Sequence, residues 1–129
     1  MLKLASNPRN ICELDEFVEA ILGKYYIDPA LLPKILISLT EAVNNAIIHG
    51  NTCDETKQVV IRHIRKGPFI GFQISDEGRG FDPKKIPDPT RPENIEKCGG
   101  RGVYLMKNLA DKLVYNVKQR SVEIYFKMQ

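Results

Sequence analysis

A chain of 129 residues, 43% apolar and 27% charged, has the size and composition of one folded domain and excludes a disordered segment. Its net charge of +3 is too small for a nonspecific DNA binder, no apolar run approaches the roughly 18 residues of a membrane helix, and the N-terminus carries no leader-like apolar segment. Three cysteines, Cys12, Cys53 and Cys98, stand far apart with no C-x-x-C pair, which argues against a disulfide framework or zinc site and for a reducing cytoplasm.

In chain order, residues 2–6 read as a short strand. Asn7 and Pro8 then supply a cap and a first-turn proline for a helix to about residue 23, with Ile11, Leu14, Phe17, Val18, Ile21 and Leu22 at helical spacing. Asp28 and Pro29 open a second helix to about residue 49, stopped by Gly50 and Asn51. Its apolar stripe is Leu32, Ile35, Leu36, Leu39, Val43, Ala46 and Ile47. Residues 58–65 and 69–75 are rich in Val, Ile and Phe, and Lys66, Gly67 and Pro68 between them predict a hairpin. Periodicity then disappears from 76 to 98, a length of irregular chain that in a compact domain is usually functional. A third helix is predicted over 102–109, and two strands over 113–117 and 122–126. This order predicts a two-layer α/β (α+β) sandwich whose mixed, largely antiparallel sheet is covered on one face by helices.

Three segments carry chemistry. In EAVNNAIIHGN, Glu41 and Asn45 are four residues apart and share a helical face with Ser38 and Ile48, apart from the aliphatic stripe. A carboxamide oxygen is a hard ligand suited to hydrated Mg²⁺, and a neighbouring carboxylate can take a proton. The same pair also suits a plain solvated helix face. In DEGRGF, Asp76 emerges where a strand opens into a loop, and Gly78 and Gly80 let a ligand approach the backbone. A carboxylate there can accept a hydrogen bond from the exocyclic amine of adenine, or simply bond its own turn. In CGGRGVYLMKNLAD, Gly99, Gly100 and Gly102 lead into an amphipathic helix, whose free N–H groups and dipole favour phosphate, and Arg101 adds a fork suited to its oxygens. The alternative there is a glycine-rich hinge. Taken together, an adenine contact, a phosphate loop and a metal-bearing helix describe an ATP site, and no Walker-type phosphate loop is present.

Charge is distributed accordingly. Residues 1–56 carry eight acidic and four basic side chains, and the remainder fifteen basic and eight acidic, including Lys84, Lys85, Arg91, Lys97 and Arg101. A basic second part suits an anionic ligand.

At these residues the chain resembles the GHKL (Bergerat-fold) superfamily of ATPases, and within it the anti-sigma-factor serine/threonine kinases of bacterial partner-switching systems. The resemblance runs from about residue 6 to 127. It implies that Asn45 binds Mg²⁺, that Glu41 is general base or positions the nucleophile, and that Asp76 reads adenine. It further implies that Gly78 and Gly80 form the adenine-side turn, that Gly99, Gly100, Arg101 and Gly102 hold the phosphates, and that residues 82–98 are the ATP lid of a single domain, 1–129. Relatives usually carry a Gly-Thr pair before the last strand, where this chain has Arg120 and Ser121, so Ser121 is the candidate hydroxyl at the adenine. The function implied is an ATP- and Mg²⁺-dependent cytoplasmic kinase, a homodimer, that phosphorylates an anti-anti-sigma (STAS-type) protein and sequesters a sigma factor, with no nucleic-acid or membrane contact. Two alternatives are an ATP-gated binding module without catalysis and a kinase of the same fold with a target outside sigma-factor control. A histidine kinase is disfavoured, because no dimerisation helix with a phosphoacceptor His precedes the fold and His49 and His63 read as structural.

Overall fold

A computed structural model of the chain describes residues 1–77, 109–116 and 118–128. Strand β1 (Leu2–Ala5) leads into a 3-10 turn (Pro8–Cys12) and helix α1 (Glu13–Lys24), and a second 3-10 turn (Pro29–Leu31) into helix α2 (Leu32–Asn45). Both helical stretches begin at an Asx-Pro pair for the same reason. The Asn7 side chain accepts the Arg9 N–H and the Asp28 side chain accepts the Ala30 N–H, while proline at the next position has no N–H left to satisfy. Strands β2 (Gln58–Lys66), β3 (Phe69–Ser75), β4 (Lys112–Asn116) and β5 (Ser121–Lys127) complete the described elements.

The five strands form one sheet in the order β1-β2-β3-β5-β4, and every pairing among them is antiparallel, so the described sheet is not mixed. Alternation along the strands sends Val59, Ile61, Ile70, Phe72, Ile74, Val122, Ile124 and Phe126 to one face, where all are buried. The helices lie on that face: α1 packs on α2, and α2 covers β3 and β5. Leu14 and Val18 from α1 and Ile35, Leu39 and Val43 from α2 are fully buried there, each stabilising the fold by about 1.5–3 kcal/mol. The rings of Phe17 and Phe72 meet edge-on at 6.5 Å between centroids.

Two expectations need correction. Pro29–Gly50 is one helical run of 22 residues whose most apolar 18-residue window has a mean hydropathy of 1.3, enough by length and composition alone to cross a bilayer. Its apolar stripe lies in the core of the sandwich, which accounts for its composition. Ser38, placed by spacing on the face away from that stripe, is fully buried, and its hydroxyl donates to the Lys34 carbonyl at 3.0 Å. The expected lid over 82–98, the phosphate loop with Gly99, Gly100, Arg101 and Gly102, the glycines Gly78 and Gly80, and all but the end of the third helix lie outside the described residues.

Candidate nucleotide site

The second helix does not end as a plain α-helix. Its last turn, Ala46–Gly50, is π-helical, and the Asn51 N–H reaches back to the Ala46 carbonyl at 2.8 Å. Turns of this kind widen a helix by one residue and often occur at functional sites. Here the widened turn brings Gly50 against the end of β3. A methyl group at position 50 would overlap the Asp76 carboxylate, so only glycine admits Asp76 at this depth.

Between the end of α2 and the ends of β3 and β5 lies a cleft lined by Ala42, Asn45, Ala46 and Gly50, by Ile74 and Asp76, and by the β4–β5 hairpin. The small side chains at 42, 46 and 50 leave a slot floored by Ile74 and Val122. A slot with apolar walls and few polar groups suits a flat heterocycle. Asn45 and Asp76, predicted from separate motifs, meet in this cleft. Glu41 sits one turn back along α2, half-buried, and is outside the described lining.

Ser121 edges the cleft, but it pairs with Ser75 and Asn116, so strand alternation directs its side chain to the sheet face opposite Val122. Val122, beside it, faces the core with Ile74. Two buried polar atoms at the cleft, Asn45 Nδ2 and Ser121 Oγ, have no hydrogen-bond partner among the described residues. Buried polar groups are nearly always paired, so a carboxamide without a partner among the described residues marks Asn45 as a candidate binding group. A half-turn of that amide presents its oxygen instead, the donor that Mg²⁺ takes alongside phosphate oxygens and waters. The residues present thus fit a nucleotide with its metal. On β4, Tyr115 pairs with Val122, and burial pushes its phenol above its ordinary range.

Three residues that motif reading passes over organise the rim. Asn51 is fully buried. Its Oδ1 accepts the Glu77 N–H at 2.8 Å, and its Nδ2 donates to Ser6 Oγ at 2.8 Å and to the Gln58 carbonyl at 3.1 Å. The Glu77 carboxylate accepts the Gln58 N–H at 2.8 Å. Arg120 closes the opposite side, its guanidinium donating to the Glu77 carbonyl at 2.9 Å and its own carbonyl accepting the Asp76 N–H at 3.1 Å. Gly50 is the third. In the sequence, Gly50 and Asn51 carry only a helix-stop signal.

Residues 4–126 match the family described as the histidine kinase-like ATPase domain. The chain is 34% identical over 107 residues to an anti-sigma F factor of Clostridium perfringens, an alignment that covers 78% of this chain and 76% of that protein. It is 31% identical over 86 residues to serine-protein kinase RsbW of Oceanobacillus iheyensis, with 62% of this chain and 54% of that protein covered. A histidine kinase domain from the Erythrobacter litoralis EL346 blue-light activated histidine kinase superposes with a TM-score of 0.49 at 22% identity, over 75% of this chain and 44% of that one. The chain belongs to the histidine kinase-like ATPase family of the GHKL superfamily and is a homologue of the bacterial anti-sigma F factors and RsbW.

Proposed function

We propose that the chain is an ATP- and Mg²⁺-dependent protein serine/threonine kinase that acts as an anti-sigma factor, phosphorylating a small STAS-type anti-anti-sigma protein and holding a sigma factor. The observation that carries this reading is the meeting in one apolar cleft of Asp76 and Asn45, whose buried amide has no partner among the described residues. The names of the relatives support the kinase and anti-sigma roles, and the resemblance supports a cytoplasmic homodimer.

Each residue has a defined task. The adenine ring lies in the slot between Ala42, Ala46, Ile74 and Val122, and Asp76 accepts a hydrogen bond from its exocyclic amine. Ser121 offers its hydroxyl at the rim. Asn45 contributes a carboxamide oxygen to Mg²⁺, which when bound neutralises phosphate charge and orients the γ-phosphoryl group. Gly99, Gly100, Arg101 and Gly102, beyond the described residues, are assigned to the phosphates, and Gly78 and Gly80 to the adenine-side turn. Phosphoryl transfer requires mainly positioning and charge stabilisation. A serine hydroxyl oxygen on the partner bonds to the γ-phosphorus as the bond to ADP breaks, and Glu41 receives the hydroxyl proton or orients the hydroxyl.

Incubation with Mg·ATP and the candidate anti-anti-sigma protein, followed by mass spectrometry, should reveal phosphoserine or phosphothreonine on that protein. Glu41→Gln should retain ATP binding and lose transfer, and equal transfer by this variant would refute Glu41 as base. ATP binding with no phosphate on any such partner would favour the nucleotide-gated binding module.

A further inference from the structure

Arg120 stands where the family resemblance leads one to expect glycine, and its backbone keeps the conformation that glycine favours. Its φ is 52°, in the left-handed region where a side chain is disfavoured. The side chain held there is not idle. Through its carbonyl Arg120 accepts the Asp76 N–H at 3.1 Å, and through Nη1 it donates to the Glu77 carbonyl at 2.9 Å. One residue therefore grips both members of the dipeptide that presents Asp76 to the cleft. From the other side, Asn51 and Gln58 hold Glu77 by its N–H and its carboxylate, each at 2.8 Å. The Asp76 carboxylate lies against Gly50, in the space a Cβ there would occupy, so its place is tightly defined on that side.

We infer that Arg120 is a positioning residue for the nucleotide, acting through Asp76: it clamps the Asp76–Glu77 peptide and so fixes the carboxylate that reads the adenine ring. This inference rests on the nucleotide-site reading above and concerns how the ring is held, not how the phosphates are bound. A guanidinium serving only the phosphates would need no bond to the Glu77 carbonyl. A residue serving only backbone stability would be better replaced by glycine at this φ.

The opposition between backbone and side chain provides the test. Arg120→Gly, Arg120→Lys and the unaltered chain are titrated with ATP by calorimetry and with adenosine by NMR, at physiological salt where exposed charges are screened beyond about 8 Å, and their melting temperatures are measured. Arg120→Gly should weaken ATP and adenosine by the same factor, roughly tenfold, as for one lost positioning hydrogen bond to a charged group. Its melting temperature should stay level or rise, because glycine relieves the left-handed backbone. Arg120→Lys, which keeps a charged donor of similar reach, should recover part of the affinity. Equal affinity of the glycine variant and the unaltered chain would overturn the inference, as would a loss confined to ATP or a loss that tracks a fall in melting temperature. Failure of the unaltered chain to bind either ligand would instead overturn the nucleotide-site reading, and this inference with it.

Discussion

The middle of the sandwich and its open end are built from the same three elements, α2, β3 and β5, and they differ in side-chain size and in polar pairing. In the middle, α2 presents Ile35, Leu39 and Val43 to strands that present Phe72, Ile124 and Phe126, and all six are fully buried. At the end, the same helix presents Ala42, Ala46 and Gly50 to Ile74, Asp76 and Val122, and a cleft replaces the core. Small side chains open the cleft, and the buried Asn45 amide beside it has no hydrogen-bond partner among the described residues. The middle supplies stability, and the end is the site to which the proposed function assigns the nucleotide.

The comparison can be tested most forcefully at its centre. Phe72→Ala should destabilise the fold by about 3–5 kcal/mol in denaturant unfolding, because a full-sized ring leaves a void that close packing cannot fill. Adenine nucleotide affinity of the molecules that stay folded should hardly change. Asp76→Asn should do the reverse, weakening nucleotide binding by about 1.5–3 kcal/mol through loss of a charge-assisted hydrogen bond, with little effect on unfolding. Unchanged affinity in calorimetry would contradict the role of Asp76 at the adenine. Asn51→Ala tests the boundary between the two regions, since Asn51 belongs to the rim yet is fully buried. It should cost about 1–3 kcal/mol of stability by stranding the groups it bridges, and should also loosen nucleotide binding. A loss in only one of the two would place Asn51 wholly in one region.

The smallest effect concerns His63, which lies far from the cleft beside Tyr25. Its Nε2 is 3.2 Å from the Tyr25 hydroxyl. Burial first, then the N-terminal ammonium and Lys24, hold the His63 pKa below its ordinary 6.5. The unfolded chain therefore takes up this proton before the folded one as pH falls. Stability should be complete above pH 6.5 and decline as pH drops below it, and His63→Gln should flatten that slope in thermal melts. A slope unchanged by the substitution would assign it to other groups.

Much of this architecture is legible in local pattern. The Asx-Pro pairs at 7–8 and 28–29 cap through their own side chains, so their signal needs no tertiary context. Alternation of apolar residues in β2, β3 and β5 defines the buried face, and glycine and proline at 67 and 68 mark the hairpin turn. The helical end is harder to read. A π-turn after Asn45 shifts every later residue around the axis, so a 3.6-residue period carried to Gly50 misplaces it. The strand face of Ser121 is likewise beyond local pattern, because it follows from pairing with Ser75 and Asn116.

By itself, then, the sequence determined most of the described elements, the buried face of the sheet and the motifs that carry the resemblance, Asn45 and Asp76 among them. Those features rest on spacing within a single element or on residue chemistry alone. The tertiary structure alone decided that Gly50 makes room for Asp76 and that Asn51 and Arg120 grip Glu77. These are contacts between residues 26 to 43 positions apart. No periodicity links positions so distant. They meet because the buried faces of α2, β3 and β5 pack in one register, and that packing brings their polar ends together at the cleft.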